Sequence, residues 1–226
     1  MGKVSNSKVS ESSFTPIQKI IFDEFSENNH LRKQFYFTGG TALSAIYLHH
    51  RESEDLDFFS ENDFSNSIVE AFINRISERI KIPFRLTQIE KTRMFEFIKD
   101  RRVIIKVDFG CYPYKRLKRG IKVKGVTVDN LYDIAVNKLH TVTARNHVKD
   151  FVDLYFLLQK FTFWDLWYGV EKKFRMELDL VWMASDFLKV KNFDYLPKML
   201  VSLKLEELKD FYKELAKKIT MTVVER

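Results

Sequence analysis

Residues 35–60 have the sequence FYFTGGTALSAIYLHHRESEDLDFFS, which contains the strongest structural signals in the chain. Phe35-Tyr36-Phe37 predicts a short strand that ends at Gly39-Gly40, and a helix is predicted from Thr41 to His49. A second strand is predicted from Asp55 to Phe59. Glycines let backbone N–H groups approach a phosphate closely, and a helix N-terminus adds partial positive charge. The turn between the first strand and the helix therefore predicts a phosphate-binding site.

Two carboxylates follow on the second predicted strand, at Asp55 and Asp57. Residues two apart on a strand share a face, so these side chains project together. Because like charges repel, the pair predicts a divalent cation, and magnesium prefers such hard oxygen ligands. A later strand, KVDF at residues 106–109, places Asp108 between apolar neighbours. An isolated Asp-x-Asp is commonly a solvent-facing pair, but the three acids together predict a magnesium or manganese site for in-line phosphoryl displacement.

The composition allows a large folded core. The 226 residues are 45% hydrophobic, and no apolar run approaches the about 18 residues that cross a bilayer. The N-terminus lacks the apolar region of a secretory signal, so we expect a cytoplasmic protein with no membrane partner. The single cysteine, Cys111, and the spacing of His49 and His50 argue against a zinc site. The net charge of +7 weakly favours polyanionic partners.

The order of the predicted elements indicates an α+β protein with two halves that meet near residue 127. Residues 1–13 contain five serines and predict a flexible leader. An α/β half over 14–126 begins with a helix at Thr15-Pro16. The remaining predicted elements are a helix over 64–80, strands over 84–90, 93–99 and 102–109, a basic connection over 112–126, and helices over 129–144, 147–160, 163–174, 177–190 and 205–219.

Two cations and two acids in the helical half are unexpected in their apolar surroundings. On a helical wheel of residues 131–145, Lys138 and Arg145 fall within the apolar stripe. A buried lysine requires an anion, either a nucleotide phosphate or a carboxylate, unless it snorkels at the edge of the stripe. Asp150 and Asp153 share one helix face. Asp150 either orients Lys138 or deprotonates an acceptor hydroxyl, or else forms a structural ion pair with Arg145 or Lys138.

A basic segment connects the two halves. Six of the ten residues from 115 to 124 are cationic. Such a segment can follow an RNA backbone, and the alternative is a solvated loop. The six residues are Lys115, Arg116, Lys118, Arg119, Lys122 and Lys124.

The motifs Gly39-Gly40-Thr41-Ala42-Leu43 and His50-Arg51-x-Ser53-x-Asp55-Leu56-Asp57-Phe58 resemble the AbiEii/AbiGii toxin family of nucleotidyltransferases, a MenT-related branch of the polymerase-beta-like superfamily. The resemblance covers roughly residues 30–160 and implies a nucleotidyltransferase-type mixed sheet with flanking helices over 14–126 and a helical bundle over 127–226. It implies catalytic roles for Asp55, Asp57, Asp108, Lys138 and Asp150. It implies nucleotide binding by Gly39, Gly40, Thr41, Arg51, Ser53 and Lys138.

The same resemblance implies a magnesium-dependent enzyme that moves a nucleotidyl group from an NTP to a macromolecule. By family analogy the acceptor is tRNA, and the protein is the toxin of a toxin–antitoxin or phage-defence system with a co-encoded antitoxin. Lys149 stands where related toxins carry arginine, so it is assigned no role. Two alternatives remain open, namely a catalytically inactive nucleotide- or RNA-binding module and a metal-dependent hydrolase of nucleotides or RNA.

Overall fold

The computed structural model describes residues 14–224, so the predicted leader over 1–13 lies outside the described residues. The chain forms two compact units. The first, called the sheet unit, comprises the described residues up to His49 with Ser53–Pro113 and Ile121–Val128. The second, called the helical unit, comprises His50–Glu52, Tyr114–Gly120 and the described residues from Asp129 onward. The main division therefore lies between Val128 and Asp129, and two short segments of the first half belong to the helical unit.

The sheet unit contains a seven-stranded mixed sheet in the order β3-β4-β5-β2-β1-β7-β6. The pairs β2–β5 and β1–β7 are parallel, and the other neighbours are antiparallel. The mixed sheet predicted from the sequence is thereby confirmed. The strands are β1 (Tyr36–Thr38), β2 (Leu56–Ser60), β3 (Phe84–Ile89), β4 (Thr92–Lys99), β5 (Arg102–Cys111), β6 (Ile121–Val123) and β7 (Val126–Val128).

Within the described residues of the sheet unit, four α-helices accompany the sheet, namely α1 (Pro16–Glu27), α2 (Asn29–Gln34), α3 (Gly39–Ala42) and α4 (Asn66–Ile80). A capping box starts α1, in which the backbone N–H of Gln18 donates to Thr15 Oγ1 at 3.3 Å and its side chain accepts from the Thr15 N–H at 2.9 Å. The ring of Phe25 in α1 stacks on Phe58 of β2 with centroids 4.0 Å apart. Aromatic packing therefore fixes α1 against the strand that carries Asp57.

The helix predicted from Thr41 to His49 is only partly regular. After α3, the backbone continues as a π-helical stretch over Leu43–Leu48, and it ends at His49 with φ of 51°. The His49 N–H donates to the Ser44 carbonyl, five residues back, at 2.8 Å. Side-chain periodicity does not distinguish this wider turn from an α-helix, and such turns are frequent near functional sites.

The predicted basic connection over 112–126 also required correction, because β6 and β7 form a hairpin there. Lys124 and Gly125 occupy its turn with φ of 48° and 78°. Two positive values at the turn are characteristic of a tight hairpin, whose usual sequence signal is Asn-Gly or Asp-Gly, whereas this turn is Lys-Gly. The basic side chains of this region had obscured the short apolar alternation of the two strands.

The helical unit is built from five helices in the described part of the chain: α5 (Leu131–Ala144), α6 (Val148–Leu157), α7 (Phe163–Phe174), α8 (Leu180–Leu188) and α9 (Leu205–Val224). A short 3₁₀ turn over Lys189–Asn192 follows α8. The helix predicted over 177–190 begins later because Asp179 caps it, accepting the Trp182 N–H at 2.9 Å. Within residues 14–224, no helix is long and apolar enough to cross a membrane.

Candidate functional site

Asp57 and Asp108 form the centre of the candidate site in the sheet unit. They are register partners on the parallel strands β2 and β5, so both side chains project from the same face of the sheet. Burial, reinforced by the negative charges of Asp57 and Asp55, raises the pKa of Asp108 to about 7. Its Oδ1 atom is buried and has no hydrogen-bond partner among the described residues. The negative charges of the site therefore lie close enough together to disfavour ionisation of Asp108.

The remaining predicted acid, Asp55, immediately precedes β2 and is partly buried. Its carbonyl oxygen accepts a hydrogen bond from the Thr41 hydroxyl. Thr41, predicted to bind nucleotide, is itself only 1% exposed and joins the glycine turn to the start of β2. The Ser53 carbonyl accepts from Gln18 Nε2 at 2.7 Å, which fixes the approach to the strand from α1.

Gly39 has a steric role that sequence reasoning did not identify. Its φ is 75°, and a Cβ atom built there would lie 2.6 Å from Cγ of Asp57 and would overlap the carboxylate. Glycine alone accommodates both the backbone conformation and the Asp57 side chain. The glycine motif and the Asp-x-Asp motif of residues 35–60 therefore depend on each other, since the absence of a side chain at Gly39 leaves space for the Asp57 carboxylate.

The donor set fits a magnesium ion. Asp57 and Asp108 present hard oxygen ligands side by side, and a bound cation would give the unpartnered Oδ1 of Asp108 a partner. Within residues 14–224, no group of three or more His, Cys, Asp or Glu side chains is arranged to hold a metal ion. The predicted three-carboxylate group is therefore not preassembled. Magnesium commonly binds one or two carboxylates and completes its shell with water and substrate phosphates.

Lys138 and Asp150 are joined in a buried ion pair of the helical unit. Lys138 Nζ lies 2.7 Å from Asp150 Oδ1 and 2.6 Å from Asp153 Oδ2. Arg145 Nε binds the other oxygen of Asp150 at 2.7 Å. Burial alone would raise the pKa of Asp150, but Lys138 and Arg145 outweigh it and hold the pKa below its ordinary value. The geometry permits Asp150 to orient Lys138 and also makes it a structural partner of both cations.

Arg51 engages the same cluster. Its Nε and Nη2 atoms bind the two oxygens of Asp153 at 2.7 and 2.8 Å, and Arg51 is only 3% exposed. His50 Nε2 contacts Asp153 Oδ1 at 2.7 Å. Burial would raise the pKa of Asp153, but Lys138 and Arg51 outweigh it and hold the pKa well below the ordinary range. The contribution of His50 was missed, because nothing in the local sequence connects it to a residue 103 positions later.

The basic segment is divided between the two units. Lys122 and Lys124 belong to the sheet unit, where Lys122 Nζ donates to Thr127 Oγ1 at 2.6 Å and Lys124 pairs with Asp23 at 2.8 Å. The other four cations, Lys115, Arg116, Lys118 and Arg119, belong to the helical unit. The six residues therefore do not form one surface of one unit.

Comparison with known proteins adds a family match. A family model described as "Nucleotidyl transferase AbiEii toxin, Type IV TA system" matches residues 21–220. An uncharacterized protein of Aquifex aeolicus is 32% identical over 138 residues, which are 58% of this chain and 61% of that protein. The chain thus spans less than two thirds of this curated relative.

Two solved structures share the fold. JHP933 from Helicobacter pylori is 19% identical, with 92% of this chain and 91% of that chain covered at a TM-score of 0.54. MenT4, a nucleotidyltransferase toxin from Mycobacterium tuberculosis, is 14% identical, with 90% of this chain and 84% of that chain covered at a TM-score of 0.52. At such identities the likeness establishes the fold, and the predicted α+β class is confirmed.

Proposed function

The chain belongs to the AbiEii family of nucleotidyl transferase toxins, as its motifs predicted, and we propose on this premise that it transfers a nucleotidyl group from an NTP to a macromolecular acceptor. The observation that carries this proposal is the in-register pair of Asp57 and Asp108 with its unpartnered Asp108 oxygen. Such a pair suits a site that receives a cation together with the phosphates of its substrate.

In this reaction an acceptor hydroxyl attacks the α-phosphorus of the NTP, and pyrophosphate leaves as the bond to the β-phosphate oxygen breaks. Bound magnesium supplies neutralisation of the phosphate charge that develops in such a transfer. Asp57 and Asp108 would hold the ion, with Asp55 two residues before Asp57 in the chain, and a carboxylate of the site would receive the hydroxyl proton. Gly39 and Gly40 leave the adjacent backbone open to phosphate.

We further propose RNA as the acceptor, with tRNA as the first candidate. The excess of cations in the chain supports a polyanionic partner, and nucleotidyl transfer to RNA in the cytoplasm is consistent with a toxin. Membership of a toxin–antitoxin family supports a co-encoded antitoxin. We propose a role in phage defence on the same ground, the match to this toxin family.

The alternative of a catalytically inactive binding module is disfavoured by the retention of all three acids, Asp55, Asp57 and Asp108. A module that only binds nucleotide gains nothing from a carboxylate whose pKa is raised to about 7 by burial and neighbouring charge. The hydrolase alternative differs from transfer only in the acceptor, which would be water.

The decisive experiment incubates the purified protein with each α-³²P-labelled NTP, magnesium and either total RNA or total protein. Label on RNA, absent from an Asp57→Ala control, is the expected result. Label on protein would retain the transferase and replace the acceptor. Release of free labelled nucleotide with no labelled macromolecule would establish the hydrolase alternative. Absence of turnover with every NTP would overturn the proposal that the protein is a nucleotidyltransferase.

A further inference from the structure

The helical unit contains a cavity of about 420 Å³ whose lining combines cations with aromatic rings. Lys118 comes from the segment Tyr114–Gly120, Tyr132 from α5, and Tyr168 and Lys172 from α7, and Phe161 completes the aromatic set. Both lysines are exposed, and Tyr168 is 60% exposed. This volume lies within the range of pockets that bind small-molecule ligands.

Lys118 is held in place by a buried anchor. The backbone N–H groups of Leu117 and Lys118 donate to the two carboxylate oxygens of Asp133, each at 2.8 Å. Asp133 is fully buried, and Lys173 Nζ neutralises it at 2.8 Å. A merely solvated basic loop requires no such anchor. These bonds fix the backbone at Lys118, and its Nζ lies 4.2 Å from the centroid of the Tyr132 ring, which lowers the entropic cost of binding an anion there.

Helices α5 and α7 pack closely against each other beside the cavity. Gly169 lies in the middle of α7, where glycine costs a helix about 1 kcal/mol relative to alanine. A Cβ atom at Gly169 would overlap Val136 and would lie 2.8 Å from the Tyr132 hydroxyl oxygen. The glycine therefore permits the close approach that brings Tyr132 and Tyr168 to the same cavity.

One acid, Asp165, also lines the cavity. Its Oδ2 atom accepts from the Thr162 N–H at 3.0 Å and from the Thr162 hydroxyl at 2.7 Å. These hydrogen bonds hold the pKa of Asp165 below its ordinary value, and its charge is directed toward the start of α7. The lining therefore contains two lysine cations and one carboxylate, and that carboxylate already accepts hydrogen bonds from Thr162.

We propose that this cavity binds a nucleotide of the acceptor RNA, with the base stacked on Tyr168 and the phosphate between Lys118 and Lys172. This inference rests on the proposed function and assigns it an acceptor subsite. Aromatic faces accept every base, and cations neutralise the backbone, which is the usual chemistry of single-stranded RNA recognition. A protein partner is less well matched, because an acidic peptide would use the lysines and leave the exposed Tyr168 ring without a specific role.

The test measures RNA binding directly and so does not depend on transfer. Fluorescently labelled total bacterial tRNA and a 12-nucleotide single-stranded RNA are titrated against wild type, Lys118→Glu/Lys172→Glu and Tyr168→Ala at several salt concentrations. Lys217→Glu/Lys218→Glu, which makes the same charge change at exposed positions of α9, is the matched control. NTP binding is measured in parallel for every protein.

The cavity double variant should weaken RNA binding at least tenfold and reduce the slope of log affinity against log salt by about 1, because one phosphate is no longer neutralised. Tyr168→Ala should weaken binding about fivefold or more by loss of stacking, with NTP binding unchanged. An equal loss in the α9 control would overturn the proposal. Failure of the wild-type protein to bind either RNA would also overturn the proposed subsite. If that protein still labels a protein acceptor, the transferase proposal survives. RNA binding that depends on the cavity in a protein that transfers nothing would support the subsite while the proposed reaction fails.

Discussion

Asp57 and Asp108 lie opposite one another across the parallel strands β2 and β5, which brings two carboxylates together on one face of the sheet. The arrangement is unfavourable for the isolated protein, because burial and mutual repulsion raise the pKa of Asp108 to about 7. Functional sites commonly retain such destabilising features, since substrate or metal binding compensates them. The first predictions follow from this relationship.

Replacing Asp108 by asparagine should stabilise the metal-free protein above neutral pH. The folded pKa of about 7 lies above the ordinary value of 3.8, so folding binds a proton between these values. The charged carboxylate therefore destabilises the fold increasingly as the pH rises from about 4 to about 7. In a chain of this size, 1 kcal/mol corresponds to about 2–4 °C in Tm. We expect Asp108→Asn to melt at least about 3 °C higher at pH 8, with little difference near pH 4.

Thermal unfolding between pH 4 and pH 8 in the presence of a chelator checks this prediction. Asp100→Asn, at an exposed turn position, removes one carboxylate without touching the site and serves as the control. A Tm difference that is the same at both pH values would contradict the titration of Asp108. The Asp108→Asn protein should also lose nucleotidyl transfer.

Magnesium should stabilise the wild-type protein and should not stabilise Asp57→Ala. A ligand that binds only the folded state raises Tm in proportion to the logarithm of its concentration. The increase should be larger with NTP present, because phosphates complete the coordination shell. Differential scanning fluorimetry with magnesium chloride, compared with sodium chloride at equal ionic strength, measures it. Near-wild-type transfer by folded Asp57→Ala would show that the metal assignment is wrong.

Gly39→Ala should lower stability, in contrast to alanine at the neighbouring Gly40, and it should also abolish activity. The added methyl group would overlap the Asp57 carboxylate, and alanine is strained at a φ of 75°. We expect a loss of about 1–3 kcal/mol in the free energy of unfolding. Gly40 has no positive φ, so Gly40→Ala is the backbone control. Urea denaturation of both variants measures the difference, and equal stability of the two would exclude the steric role of Gly39.

The sequence predicted the acids of the site because their signals are local. Asp55 and Asp57 follow the period of two on a strand, and Asp108 stands between apolar neighbours on another. The register that aligns Asp57 with Asp108 depends on pairing between strands about 50 residues apart in the chain, which periodicity does not encode. The steric need for Gly39 has the same origin, since it arises only when β1 and β2 pair.

Long-range polar contacts explain the remaining omissions. The bonds from Arg51 and His50 to Asp153 join residues more than 100 positions apart, and no local pattern selects these partners. Asp133 is an acid in the first turn of α5, where it is expected simply to favour the helix dipole. Its actual role as an anchor for Leu117 and Lys118 depends on tertiary packing.

Lys138 provides the most informative remaining prediction, because burial changes what its removal should do. A phosphate-binding lysine at the edge of a helix could be removed with little loss of stability. In the structure, Lys138 is only 7% exposed and neutralises two fully buried acids, Asp150 and Asp153. Breaking a buried ion pair by removing one partner costs about 3–5 kcal/mol. We therefore expect Lys138→Met to unfold at much lower urea concentration than wild type at pH 7.

The pH dependence and a double variant separate the two roles of Lys138. The pKa values of Asp150 and Asp153 are held low in the folded protein, so their stabilising contribution is present above about pH 4 and declines as the pH falls further. In Lys138→Met these acids lose a cation, their pKa values rise, and the stability deficit should shrink as the pH approaches 4. Adding Asp150→Asn should restore part of the stability at pH 7, because it removes one uncompensated charge. A Lys138→Met protein that melts like wild type but no longer binds NTP would instead assign this lysine to the nucleotide phosphates.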